Sequence, residues 1–401
     1  MTSKNSKLFL VLLCGTMSAF GPFMMDLYLP ALPELQSFFN TSASLTQVSL
    51  MTSMVGLGAG QLLLGPISDK FGRKKPLLLS LLVYTLASIA LVFSPNIHVL
   101  ITLRAIQGLA ASGAVVMSRA IAADLYSGRE LGKFFVMLMT VHGLAPVLSP
   151  MAGSALLTFT DWRGVFVSLT LLGIVLIAAV FNFVESLPAE RRLKGSIFKS
   201  FLVYPKIFAN KTFMSFVTMQ ALGFAGLFAY ISSSPFIFQK IFGMAPLAFS
   251  MCFGANGLAV MTGAQITQRT NRSMALKIGV LTFVLSTLYL AFALNTGLSV
   301  YFVEPGFFVM ALSLGCIFPT VSMQAMAAER KNAGSASALL GFCPFLFGAV
   351  VSPLVGLGNI LLPTGIILAL SGFAVLFLYF VVKDRSEERR VGKECRSRWS
   401  P

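Results

Sequence analysis

Residues 65–75 read Gly65-Pro-Ile-Ser-Asp69-Lys70-Phe-Gly72-Arg73-Lys74-Lys75, a short charged stretch set between two long uncharged ones. Residues 35–68 before it and 76–103 after it contain no Asp, Glu, Lys or Arg. The same absence recurs over 8–25, 134–160, 164–184, 212–239, 241–268, 278–303, 305–328 and 332–382. A helix crossing a hydrocarbon layer of roughly 30 Å needs about 20 apolar residues, and each of these runs reaches or nearly reaches that length. The whole chain of 401 residues is 56% hydrophobic and 11% charged, with a mean hydropathy of +0.83. Soluble domains carry roughly 25% charged residues. A soluble enzyme, a disordered chain and a disulfide scaffold are excluded, and the chain reads as an integral membrane protein.

Runs too long for one crossing break at Ser94-Pro95-Asn96 and at Gly358-Asn359 with Pro363. Dividing there predicts an all-α protein of twelve membrane helices, near 8–29, 44–66, 76–94, 97–119, 133–157, 163–184, 211–233, 246–268, 275–294, 299–322, 334–357 and 361–382. A β-barrel would show alternating ten-residue segments instead. With both termini placed in the cytoplasm, the segments on that side up to residue 382 hold twenty Lys and Arg, against Arg163 and Lys240 outside. This asymmetry is the positive-inside pattern. It accounts for the formal charge of +16 through topology and anionic lipid, without a nucleic-acid partner. The first apolar run is expected to be a retained helix rather than a cleaved signal, because no A-x-A site follows it. Cys14, Cys252, Cys316 and Cys343 fall in predicted spans and Cys395 in the tail. No C-x-x-C occurs, so neither a disulfide framework nor a metal site is expected.

The polar segment 185–210 divides the chain into an N-terminal six-helix unit, 1–184, and a C-terminal one, 211–382. Gly65/Gly263, Gly108/Gly306 and Gly143/Gly341 recur at one offset, the last pair within a shared G-x-x-P. An even number of helices per half gives both halves the same orientation, a parallel repeat. Residues 383–401 share nothing with the body and read as a polar tail or a non-native end; they are excluded from function.

The 65–75 loop matches G-x-x-x-D-[RK]-x-G-R-[RK], the loop signature of the major facilitator superfamily, which the chain therefore resembles. Gly65 allows close helix approach and Gly72 a tight turn. Asp69, together with Arg73 and Lys74, is expected to act at a cytoplasmic gate by facing the positive N-terminal end of helix 11 near Ala333. The equivalent loop in the second half has Thr267 where the acid would be. Leu100-x-x-x-Arg104-x-x-Gln107-Gly108 resembles a second signature of the superfamily. An arginine at this depth costs on the order of 2.5–3.5 kcal/mol, so it must face the interior and find acceptors. Gly143-Leu-Ala-Pro146-Val-Leu-Ser-Pro150-Met-Ala-Gly153 resembles the helix-5 antiporter signature of drug exporters, with Ala145 where glycine is usual.

Met25-Asp26-Leu27-Tyr28-Leu29-Pro30-Ala31-Leu32-Pro33, with Asp161-Trp162-Arg163-x-x-Phe166 and Tyr230-Ile-Ser-Ser-Ser-Pro235-Phe236, resembles the bicyclomycin/chloramphenicol-resistance (Bcr/CflA) exporters. The resemblance implies proton-driven export of antibiotics or other small amphipathic compounds across a bacterial inner membrane, and the protein is expected to be monomeric. Asp26 and Glu304 are the acids inside predicted helices, at a depth similar to that of Arg104. The expectation is a proton-coupling layer of Asp26, Arg104 and Glu304, with Asp26 the carrier and Arg104 its partner. Tyr28, Gln107, His142, Gln220, Tyr230 and Asn256 are polar candidates for substrate contact, each weighed against a helix–helix role. A proton-coupled uptake symporter for a small metabolite is the alternative. No nucleotide loop or metal-spaced His/Cys set supports an enzyme, and no cofactor is expected.

Overall fold

The computed structural model describes residues 6–193, 202–329 and 333–398. Twelve long helices dominate it: α1 (Lys7–Asp26), α2 (Ala43–Phe71), α3 (Lys74–Val92), α4 (Ile97–Leu125), α5 (Gly128–Leu156) and α6 (Trp162–Asn182) in the first half. The second half contains α7 (Lys211–Pro235), α8 (Pro246–Arg269), α9 (Arg272–Asn295), α10 (Val300–Ala328), α11 (Ala333–Leu354) and α12 (Leu361–Arg398). Eleven are long and apolar enough to cross a membrane among the described residues, and Gly143–Leu156 of α5 is a shorter apolar stretch.

Short polar side chains start these helices by accepting otherwise orphaned backbone N–H groups. Ser42 caps α2 through Leu45 N at 3.1 Å, Asn96 caps α4 through Val99 N at 3.0 Å, and Asn210 caps α7 through Phe213 N at 3.2 Å. The boundaries follow the sequence reading closely at these caps and less closely at the basic loops. There α2, α4 and α10 run several residues further, because a helix need not end where the apolar run does. The first predicted span is shorter than expected as an α-helix. It ends at Asp26 and continues through a 3₁₀ turn, Leu29–Ala31, into a short helix, Leu32–Phe38, around Pro30 and Pro33.

Each half forms a bundle in which α4 packs on α1, α2 and α3, and α10 packs on α7, α8 and α9. The pairs α1–α5 and α3–α6 recur as α7–α11 and α9–α12. The two bundles meet along two related seams, α2 against α11 and α5 against α8. This is the parallel repeat expected from the glycine offsets, with two corrections. Gly65 has only the Val116 side chain of α4 nearby and makes no close helix approach, whereas Gly263 abuts the Leu312 backbone of α10. Gly143 faces Met261 of α8 and Gly341 faces Gln61 of α2, so that pair is equivalent. Gly108 instead abuts the Ser53 backbone of α2, whereas Gly306 abuts Tyr289 and Leu290 of α9. Gly263 and Gly315 perform the close α8–α10 approach in the second half.

One end of the bundles carries the basic loops and is termed the basic face; the opposite end is the far face. Hydrogen bonds between the bundles that the described residues form cluster toward the far face. Ser44 donates to the Pro353 carbonyl at 2.8 Å, and Gln47 Nε2 donates to the Ser232 carbonyl at 2.8 Å. Ser154 and Ser250 bond at 2.5 Å, and Lys240 reaches Gln36 at 2.6 Å. Toward the basic face a cavity of about 360 Å³ opens between the bundles, lined by Ser68, Asp69, Arg73, Arg119, Tyr204 and Ser335 among others.

Candidate functional site

Arg104 is fully buried inside the N-terminal bundle. Its guanidinium donates to Gln107 Oε1 at 2.7 Å, to Ser53 Oγ at 3.0 Å and to the Met24 carbonyl at 3.3 Å. It also lies over the Tyr28 ring, 4.6 Å from the centroid. A ring face and three neutral oxygens together replace much of the water an arginine loses on burial. Gln107 passes the network on to Ser88 Oγ at 2.8 Å, and the Tyr28 hydroxyl bonds Ser49 Oγ at 2.9 Å. Arg104 thereby ties the end of α1 to α2 and α4.

Asp26, only 7% exposed, is the last residue of α1. The ion pair expected between Asp26 and Arg104 is not formed, since the described residues show no contact within 4.0 Å between Asp26 and any cation. The reason is local: the arginine finds oxygens on α1, α2 and α4 that are nearer to hand. Asp26 lies three turns along α1 from Gly15 and on the same face, and Gly15 abuts Val141 of α5.

Glu304 is in the other bundle, four residues into α10 from the far face, in a network with residues of α7 and α8. Asn256 Nδ2 donates to Glu304 Oε1 at 3.0 Å and to the Tyr230 hydroxyl at 2.8 Å. Tyr230 packs against Phe253 and Phe307, at centroid distances of 5.6 Å and 4.6 Å. The other carboxylate oxygen, Oε2, is buried with no partner. Of the remaining polar candidates, Gln220 accepts from Ser322 at 2.8 Å. Tyr28, Gln107, Tyr230, Asn256 and Gln220 are thus engaged in helix–helix contacts. The side chain of His142 lies outside the described residues.

At the basic face, Gly72 adopts φ +85° and turns the chain between α2 and α3. Arg73 bonds Asp69 at 2.5 Å and Asp124, at the end of α4, at 2.8 Å. Burial lowers the Arg73 pKa, but the hydrogen bonds and charges of Asp124 and Asp69 outweigh that and leave it above the ordinary arginine value. Glu185, beyond α6, accepts from the backbone N–H of Arg73 at 2.9 Å and of Lys74 at 3.1 Å. Lys74 Nζ reaches the Phe181 carbonyl at 2.8 Å. Asp69 is half exposed and bonds Arg73, and it lines the same cavity as Ser335 in the first turn of α11. Thr267, at the acid's position in the second half, bonds the Gly263 and Cys316 carbonyls at 3.1 and 3.3 Å and so joins α8 to α10.

The helix-5 segment lies on the seam. Gly143 faces Met261, Pro146 and Val147 face Gly257, and Gly153 receives the carbonyl of Leu27, the residue that follows α1. The Pro150 carbonyl accepts from Ser250 Oγ of α8 at 2.9 Å. Asp161 caps α6 through Arg163 N at 3.0 Å, which gives that motif a structural role.

Residues 11–353 match the Major Facilitator Superfamily. The chain belongs to that superfamily and is a membrane transporter, not an enzyme. Among its relatives is an uncharacterized MFS-type transporter, YdgK, of Bacillus subtilis, 38% identical over 88% of this chain and 90% of the relative. A bicyclomycin resistance protein homolog of Haemophilus influenzae is 28% identical over 88% and 90%. The fold is similar to the partially occluded inward open conformation of the xylose transporter XylE from E. coli, at a TM-score of 0.73 and 15% identity, covering 93% and 97% of the two chains.

Proposed function

We propose that this chain is a proton-coupled exporter of antibiotics or other small amphipathic compounds, working by alternating access. The observation that carries the reading is Asp26, a carboxyl buried at the membrane end of α1 with no cation beside it among the described residues. A bare charge there is expensive, and a single proton removes it. Binding and release of that proton therefore change how cheaply the end of α1 stays packed. That end touches Gly153 of α5 through the Leu27 carbonyl, and α5 forms one of the two seams between bundles. A change of charge at Asp26 thus acts on an element that must move when the bundles rock. Arg104 anchors the α1–α2–α4 side and keeps its own positive charge in both states.

The positive-inside pattern assigns the basic face to the cytoplasm. On that assignment the far-face seam is shut and the cavity beside Asp69 and Arg119 faces the cell interior, where an exporter loads. The drug-resistance name of the Haemophilus relative and the helix-5 signature on the seam both favour export over uptake.

The test is a susceptibility panel in an efflux-deficient bacterium, comparing the chain with Asp26→Asn at matched membrane levels, with and without a protonophore. The wild-type chain raises resistance to at least one compound, and both the protonophore and the substitution remove it. Full resistance in the Asp26→Asn strain would refute the coupling role.

A further inference from the structure

Arg104 and Arg73 are buried and satisfied, the first by three oxygens and a ring face, the second by Ser68, Asp69 and Asp124. Arg119 of α4 is different. No acid of the described residues lies within 4.0 Å of it, and its Nε is buried without a partner. It sits six residues, about 9 Å, before the basic-face end of α4. A guanidinium so placed without acceptors is costly, and an acceptor from outside the chain removes that cost. Arg119 lines the cavity of about 360 Å³ between the bundles, a size within the range of small-molecule sites. Across the seam the same cavity is lined by Ser335 and Ser337, at the positive end of α11. Leu62, Val116 and Ala338 give it apolar walls. The other charges on its lining, Asp69 and Arg73, are bonded to each other. Among the described residues, Arg119 is thus the lining cation with no acid beside it.

We propose that this cavity is a loading site for amphipathic organic anions, with Arg119 gripping the acidic group and Leu62, Val116 and Ala338 packing the apolar body. The planar guanidinium matches the two oxygens of a carboxylate or sulfonate, and the serine hydroxyls across the seam supply further donors. The inference rests on the exporter reading for calling the occupant cargo, and it deepens that reading by fixing the sign of the cargo's charge. Its test does not depend on transport.

The full-length chain in phosphatidylcholine nanodiscs is titrated with tritium-labelled naphthoate and, separately, with the neutral naphthamide. The wild-type chain should bind the anion about tenfold more tightly than the amide. Arg119→Gln should lose that preference, binding naphthoate about tenfold more weakly, the loss expected for one charge-assisted contact, with its amide affinity unchanged. Ala338→Trp, which fills the cavity from α11 and leaves the guanidinium in place, should weaken both ligands and decides the matter if Arg119→Gln does not fold. Equal naphthoate affinity in these variants and the wild-type chain, or no binding by the wild-type chain, overturns the proposal. Displacement of naphthoate by phosphatidylglycerol in the bilayer also overturns it, because the occupant is then a lipid phosphate. Absence of drug resistance in cells with this binding intact would sink the exporter reading and leave the anion site standing.

Discussion

Ser154 of α5 and Ser250 of α8 share a hydrogen bond of 2.5 Å across the line between the two bundles. Both are buried, and the Pro246 carbonyl, 2.9 Å from Ser154 Oγ, is the alternative acceptor for the Ser154 proton. Such proximity suits a disulfide, whose Cβ atoms sit about 3.8 Å apart. Ser154→Cys combined with Ser250→Cys should therefore cross-link under mild oxidation and hold the far face shut. Export should stop on oxidation and return on reduction, read as dye efflux from cells treated first with oxidant and then with dithiothreitol. Continued efflux from fully cross-linked protein would show that this seam does not open.

Arg104 makes a planar, three-acceptor contact and covers the Tyr28 ring. Lysine keeps the charge but lacks the flat fork. Arg104→Lys should insert normally yet lose most export and melt several degrees lower in a detergent thermal-shift assay. Rescue to wild-type activity by lysine would mean that charge alone matters at this position.

Gly108 lies against the Ser53 backbone, and Gly56 and Gly60 of α2 lie against α4. A side chain at position 108 has nowhere to go but into another helix's main chain. Gly108→Val should separate α2 from α4 and cost about 1–3 kcal/mol or more by overpacking, seen as reduced folded protein in the membrane fraction. Gly297→Ala, at φ +70° in the α9–α10 turn with open space around it, should strain the turn without disturbing helix packing. It should therefore retain far more folded protein than Gly108→Val.

Glu185 accepts from the backbone N–H groups of Arg73, Lys74 and Leu187, and so caps the start of α3 from beyond α6. Glu185→Gln should lower stability by about 1–2 kcal/mol, the usual worth of a cap with a charged acceptor. Glu190→Gln, on an exposed turn, should leave the melting midpoint unchanged. Equal midpoints for the two variants would remove the capping role.

The spans and the parallel repeat were legible because hydrocarbon tolerates few sequences: charge-free runs and breakers leave little else to build. The G-x-x-x-G at Gly56 and Gly60 was a readable sign of the α2–α4 contact. The partners of Arg104 were not legible. Its acceptors are a carbonyl, a serine and a glutamine, residue types that carry no sign of their target, whereas Asp26 offered an obvious opposite charge. Asp124 and Glu185 carry no such sign either, since an acid at or just beyond the end of a helix reads as a solvated residue until the fold brings Arg73 beside it. The seam serines were hidden for a similar reason: a hydroxyl in a membrane helix usually satisfies itself on its own backbone, as Ser149 does on Ala145 at 2.6 Å.

The far-face contacts among Ser44, Gln47, Ser232, Ser154 and Ser250 are built from uncharged groups, and the one charged member of the far-face bonds described above is Lys240, which reaches Gln36. Moving one elementary charge through a membrane potential is worth roughly 2.3 kcal/mol per 100 mV, and neutral amides and hydroxyls carry none. Parting the uncharged contacts is therefore indifferent to voltage, whereas a movement of Lys240 along the membrane normal is not. The electrical sensitivity of the transport cycle thus enters through the charges that move, Lys240 together with the proton and the cargo, and not through the serine and glutamine contacts.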